Sequence, residues 1–241
     1  RAAELTTVSV RLACEAREQY ARTHPEGAYV RIAGAVSPLE DCFRPADSPG
    51  HDAGPEHREI AEHLLRAGAD LLLIETMGRI DEARAAVAAA QGLGRPVWLA
   101  VVARADGRML AGESLDDLVA ALADLELHAL LLNCTELRHL DVALPALCAA
   151  AAVRPALWLG AYPHTGHADP ERGWQTHATT AEEFADTLAS WSVRLPQLRV
   201  LGGCCGSTPA WISALASRLQ PDAASRTAAF AALADAARPG T

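Results

Sequence analysis

No apolar run in the 241-residue sequence approaches the roughly 18 residues that a bilayer span requires, so no transmembrane helix is expected. Nor is there an excess of positive charge. Against 30 Asp and Glu stand 21 Lys and Arg, a formal net charge of −9. That balance argues against nucleic-acid binding and against adsorption to a membrane through a basic surface. The opening, Arg1-Ala2-Ala3-Glu4, is neither a signal peptide nor a transit peptide. The six cysteines do not form a small-scaffold pattern, which in a chain this long points to a reducing compartment, the cytoplasm. Internal repeats and low-complexity linkers are missing too, and the chain reads as one domain over 1–241.

What is there alternates. Half the residues are hydrophobic, ample for one sizeable core. Helical spacing recurs over 4–22, 56–67, 79–91, 115–125, 140–152, 180–191, 209–219 and 223–237. Gly68 stops the second of these, and Thr180 with Glu183 forms a capping box at the sixth. Between them lie short apolar runs at 28–36, 70–74, 96–102, 128–132, 155–161 and 199–203. Strands apolar on both faces, alternating with helices, predict a parallel sheet covered by helices. A Pro/Gly/Asp-rich loop is expected over 37–55, and a long polar loop after Tyr162-Pro163 carries His164, His167, Asp169 and Trp174.

Glu75, Asn133, Cys134, Tyr162, Cys204 and Cys205 all fall at or just after the C-terminal end of a predicted strand. In a (β/α)8 TIM barrel those ends share the face that carries the active site, and this α/β fold is the expectation. An open doubly wound sheet is the alternative, but no Gly-rich phosphate loop follows the first strand. Six strands are found where a barrel has eight, and the chain opens inside a helix. One or two βα units are therefore expected upstream of Arg1.

The centre of the pattern is Leu201-Gly202-Gly203-Cys204-Cys205-Gly206. It lies where a strand ends and a helix begins, the helix announced by Ser207-Thr208-Pro209. Adjacent cysteines close a strained ring and make a poor disulfide, so metal ligation is the better assignment if a third ligand exists. Cys134 supplies it. Three thiolates on Zn2+ leave one tetrahedral position open, as a catalytic site requires.

The segments Ala33-Gly34, 69–76, Gly112-Glu113, Asn133-Cys134, Tyr162-Pro163 and 202–206, in this order and spacing, resemble the homocysteine S-methyltransferase family over roughly residues 28–215. The resemblance implies a zinc-dependent barrel that methylates the zinc-bound thiolate of homocysteine to give methionine. It implies Cys134, Cys204 and Cys205 as zinc ligands and catalytic residues, and Glu75 as partner of the substrate ammonium. Asn133 and Tyr162 fall in the same substrate-side set, with Asn133 favoured as a residue that orients its neighbouring backbone. The expected donor is a sulfonium, S-methylmethionine or S-adenosylmethionine. The family pattern has asparagine and often glutamate where His164 and His167 stand. Those two histidines read first as solvated loop residues, with altered donor choice or an extra metal ligand as the alternative.

Other outcomes stay open. The thiol could be a different thiol or a selenol, the donor betaine, or the barrel a non-catalytic zinc protein. A redox protein working through Cys204 and Cys205 would carry no metal and leave Cys134 without a purpose. Cys14 and Cys148 read as buried small hydrophobes and Cys42 as a loop residue without a role. Trp174 is a candidate pocket wall. Nothing marks one helix face for oligomerisation.

Overall fold

The run Leu71-Leu72-Leu73-Ile74 shows why a sheet forms here: nearly all of it is buried, and β-branched or long aliphatic side chains fill both faces. The computed structural model describes residues 2–24, 30–169, 171–175 and 179–219. Helix α1 (Ala2–Thr23) precedes β1 (Ala33–Val36), then α2 (Gly54–Arg66), β2 (Leu71–Met77), α3 (Ile80–Ala90) and β3 (Val97–Val101) follow. Next come α4 (Leu115–Ala121), β4 (Ala129–Glu136), α5 (Leu140–Ala150) and β5 (Trp158–His164). A two-stranded antiparallel hairpin, β6 (His167–Asp169) with β7 (Gly173–Gln175), leads to α6 (Ala181–Arg194), β8 (Leu198–Leu201) and α7 (Pro209–Leu219).

Six strands form one parallel sheet in the order β1-β2-β3-β4-β5-β8. Every predicted apolar run became one of these strands. The differences lie at the ends: β2, β4 and β5 run three or four residues further than hydropathy alone predicted, because residues beyond the apolar runs, Met77 in β2 and Glu136 with His164 in β4 and β5, still pair. The hairpin replaces part of the expected polar loop. The helix predicted over 223–237 lies outside the described residues, as do the side chains of His167, Asp169 and Trp174.

The large core lies between sheet and helices, with Leu72, Ile74, Leu99, Leu130, Leu132, Leu144 and Leu188 almost wholly buried. The other face of the sheet has its own small cluster: Ala100, Ala129 and Leu131 with Leu73, Trp98, Trp158, Tyr162 and Val200. This second, inward face is what a barrel would enclose. Sequence-encoded caps hold the helices in place. Ser114 with Asp117 and Thr180 with Glu183 each form a reciprocal capping box, at α4 and α6. Phe184 of α6 meets Trp211 of α7 edge-on, ring centres 5.4 Å apart, beneath the loop that carries the paired cysteines.

A buried carboxylate anchors the long loop after β1. Glu82 of α3 accepts from the Leu39 N–H at 3.0 Å, the Ser48 hydroxyl at 2.5 Å and His57 Nε2 at 3.3 Å. These bonds, led against burial by the one with His57, hold its carboxyl below the ordinary range. The loop is thereby fixed over the C-terminal ends of the strands.

Candidate metal centre

Two bulges set the site. From Ile74–Leu99 to Met77–Val101, β2 gains one residue on β3; from Asn133–Tyr162 to Glu136–His164, β4 gains one on β5. A bulge bends the strand and re-aims its side chains. Each of these holds a non-glycine residue in the left-handed region, Thr76 at φ 63° and Cys134 at φ 44°. Such conformations cost about 1–3 kcal/mol each and persist only where the surroundings hold them.

Asn133 is that support. Its Oδ1 accepts from the Thr76 N–H at 3.0 Å and its Nδ2 donates to Thr76 Oγ1 at 2.8 Å. Thr135 accepts from the Ala103 N–H at 2.9 Å and donates to the Asn133 carbonyl at 3.1 Å. Cys134 is therefore flanked by residues that tie β4 to β2 and to the end of β3. Asn133 is wholly buried with both halves of its amide engaged, the placement of a brace. Thr76 and Thr135 were not singled out from the sequence; a hydroxyl at the tip of an otherwise aliphatic strand was the available signal.

The paired cysteines are presented by an extension of the β5–β8 ladder. Gly202 N–H donates to the Ala161 carbonyl, Cys204 N–H to that of Pro163, and Thr165 N–H to that of Cys205. Ser207 closes the turn, its hydroxyl donating to the Cys204 carbonyl at 2.6 Å. A Cβ on Gly203 would come within 2.6 Å of that hydroxyl oxygen, so the second glycine of the motif is required by packing.

The three sulfurs converge. Cys134 Sγ lies 3.7 Å from Cys205 Sγ, Cys204 Sγ lies 4.0 Å from Cys205 Sγ, and all three fall within 4.8 Å of one another. Thiolates at about 2.3 Å from a tetrahedral zinc stand about 3.8 Å apart. The donor set and its spacing fit that ion. Cys134 is buried, Cys204 intermediate and Cys205 exposed, so the open side faces solvent. The Cys204 thiol is drawn down to about 6, chiefly because Cys134 acts as its hydrogen-bond donor, and the same interaction raises Cys134. Burial raises Cys205. Charge gathered on one sulfur of a tight trio suits a cation. Cys42 is not one of the trio; burial and the neighbouring Asp41 raise its thiol. Cys14 and Cys148 pack against the core.

Beside the trio, Tyr162 donates its hydroxyl to Glu75 Oε2 at 2.9 Å. Leu73 and Tyr162 belong to the inward cluster, and Glu75 follows Leu73 by two residues, so strand alternation carries it to that face. Burial raises the Glu75 carboxyl, and the Tyr162 hydroxyl opposes the rise. Burial, then the charge on Glu75, raises Tyr162. His164, at the tip of β5, is buried, which lowers its imidazole and leaves it neutral near pH 7. It is thus no solvated loop residue, the physical difference being that β5 continues to pair through it. A cavity of about 460 Å³ adjoins Cys134, bounded by the ends of β3, β4 and β5 and by Phe43 of the anchored loop.

A barrel-type parallel α/β sheet carries three convergent thiols at its C-terminal rim, a group that could hold a metal ion. The sequence model of the family described as homocysteine S-methyltransferase matches residues 1–219. The homocysteine S-methyltransferase of Escherichia coli K12 is 33% identical over 221 residues, covering 87% of this chain and 69% of that protein. The selenocysteine Se-methyltransferase of Brassica oleracea var. italica is 30% identical over 169 residues, 68% of this chain and 47% of that one. Among solved structures, the metallated form of the E. coli homocysteine methyltransferase MmuM superposes with a TM-score of 0.75 at 30% identity. That match covers 90% of this chain and 70% of the other. The chain belongs to the homocysteine S-methyltransferase family.

Proposed function

We propose that the protein is a zinc-dependent S-methyltransferase that moves a methyl group from a sulfonium donor, S-methylmethionine or S-adenosylmethionine, to homocysteine, giving methionine. One observation carries this: three sulfurs within 4.8 Å at the strand ends, next to a half-buried Glu75 held by Tyr162. Cys134, Cys204 and Cys205 are the residues that would hold the ion. When bound, zinc would keep the acceptor sulfur as a thiolate at neutral pH, its proton having passed to solvent.

The chain does the rest by positioning. Asn133 and Thr76 fix the strained backbone under Cys134, so the trio is arranged before anything binds. Glu75 would receive the homocysteine ammonium, with the Tyr162 hydroxyl fixing its carboxylate plane. An ammonium there favours the ionised carboxylate, offsetting the cost of burial. In the transfer, the donor's S–CH3 bond breaks with its electron pair returning to the donor sulfur, which becomes a neutral thioether. The acceptor thiolate supplies the pair for the new S–CH3 bond.

Freshly purified protein, kept reduced and free of chelator, should carry about one zinc per chain. It should form methionine from homocysteine and one of the two sulfonium donors. Metal-free fresh protein, or no product with any donor, would refute the proposal. Glu75→Gln keeps the shape but removes the charge. It should raise the KM for homocysteine roughly 10- to 100-fold with a smaller change in the donor KM. An unchanged homocysteine KM would remove Glu75 from that role.

The proposed location is the cytoplasm, since all six cysteines are free. No helix among the described residues is long and apolar enough to cross a membrane. We further propose that residues 1–241 form part of a single barrel domain, closed by two more βα units beside β1, since such barrels have eight strands. A longer chain carrying those units should melt higher and turn over faster than the 241-residue chain.

A further inference from the structure

The cavity beside Cys134 holds opposite charges on a wall that is apolar apart from them, His139 and His164. Phe43, Val102 and Leu110 line it, with Arg104 from the segment after β3 and Glu136 from the tip of β4. Its volume, about 460 Å³, is that of a small-molecule site. Glu75 and Tyr162 are absent from its lining, and of the three clustered cysteines only Cys134 reaches it. Both charges are held in place by neighbours. Arg104 pairs with Asp106 at 3.0 Å; Glu136 pairs with Arg138 at 2.6 Å and lies 3.9 Å from His139. Asp106 and Arg138 are themselves well exposed, and pairs of that kind are weak enough for a ligand to compete.

We propose that this compartment is the methyl-donor site and that Arg104 and Glu136 recognise an α-amino acid end on the donor, Arg104 taking the carboxylate and Glu136 the ammonium. This rests on the methyl-transfer reading above. A guanidinium matches a carboxylate in geometry as well as charge. The apolar wall with Phe43 suits the alkyl chain and the sulfonium, which favours an aromatic face over bulk water. The selected class is therefore an amino-acid sulfonium. S-methylmethionine and S-adenosylmethionine share that end, whereas betaine and dimethylsulfoniopropionate have the carboxylate but no primary α-ammonium whose N–H groups Glu136 could accept.

The test compares wild type with Glu136→Gln and Arg104→Met, each loaded with zinc. Binding of S-methylmethionine alone is measured by calorimetry, and KM values for both substrates by methionine formation. Either substitution should weaken S-methylmethionine roughly 10- to 100-fold, both in binding and in KM, and move the homocysteine KM by much less. The Glu136→Gln loss should be several-fold larger for S-methylmethionine than for dimethylsulfoniopropionate, a contrast that general damage to the fold would not produce. Wild-type affinities for S-methylmethionine and S-adenosylmethionine decide which donor the site prefers. Equal losses on all donors, unchanged binding, or a shift in the homocysteine KM alone would overturn the assignment. Specific binding without turnover by wild type would sink the methyl-transfer reading and leave the amino-acid site standing; turnover with variants unaffected would do the reverse.

Discussion

Cys204→Ser should purify with almost no zinc and lose roughly a thousandfold in methionine formation, while melting as wild-type apoprotein does. The three sulfurs that would hold the ion come from the bulged tip of β4 and the loop after β8, and Cys204 is the one drawn down to about 6, the ligand most readily supplied as thiolate. Serine replaces it with a hydroxyl that stays protonated at neutral pH. Zinc bound at about 10–16 kcal/mol through thiolates and imidazoles loses several kcal/mol with one ligand gone, a factor of roughly a thousand or more. Local geometry should survive, because the turn is held through the Cys204 backbone: its N–H donates to Pro163 and its carbonyl accepts from Ser207. Metal content by elemental analysis, activity and a thermal melt of both apoproteins check each part. One full equivalent of zinc with unimpaired turnover would show that the trio is not the centre of the chemistry.

Gly160→Ala should be the most damaging single methyl in the sheet, costing about 3 kcal/mol or more. Gly160 sits in β5 where β8 carries an extra residue, the register passing from Leu159–Leu198 to Gly160–Val200. A Cβ there would lie 1.9 Å from the Val200 carbonyl oxygen and 2.8 Å from its Cβ. The obstacle is backbone, so relief requires β8 to move away from β5. That movement would carry the paired cysteines with it, and zinc affinity should fall alongside stability. Gly54→Ala is the matched control: its φ is −53° and an added Cβ meets nothing within 4 Å, so it should be neutral or slightly stabilising. Urea unfolding with zinc titration separates the two. A Gly160→Ala protein as stable as wild type would show that β5 and β8 are not so closely apposed.

Strand identity and the cysteine trio were legible because their signals are local. Leu71 to Ile74 and Ala129 to Leu132 are continuous aliphatic runs, and Cys204-Cys205 between glycines is rare enough to read without a fold. Glu75 and Tyr162 were also visible, as polar residues at strand ends, but their mutual hydrogen bond joins positions 87 residues apart and has no local trace. The same holds for Asn133 with Thr76, 57 residues apart. A brace of this kind depends on two bulges, and a bulge leaves the alternation of side chains ambiguous by one position. His164 shows the opposite failure: its polar surroundings in sequence suggested solvent, yet pairing through the end of β5 buries it.

The trio also bears on the mechanics of the sheet. In strand order, β4 and β8 are not neighbours; β5 lies between them. An ion held by Cys134 on one side and by Cys204 and Cys205 on the other would act as a rivet across three strands, closing a loop of about seventy residues that a disulfide of similar span would close irreversibly. Occupancy and fold are then thermodynamically linked, and each tenfold of free zinc above its dissociation constant adds about 1.4 kcal/mol to the folded state. Chelation should therefore loosen α6, β8 and α7 first, visible as faster amide exchange there than in β2 and β3. Zinc scarcity would then be felt first as a loosened β8.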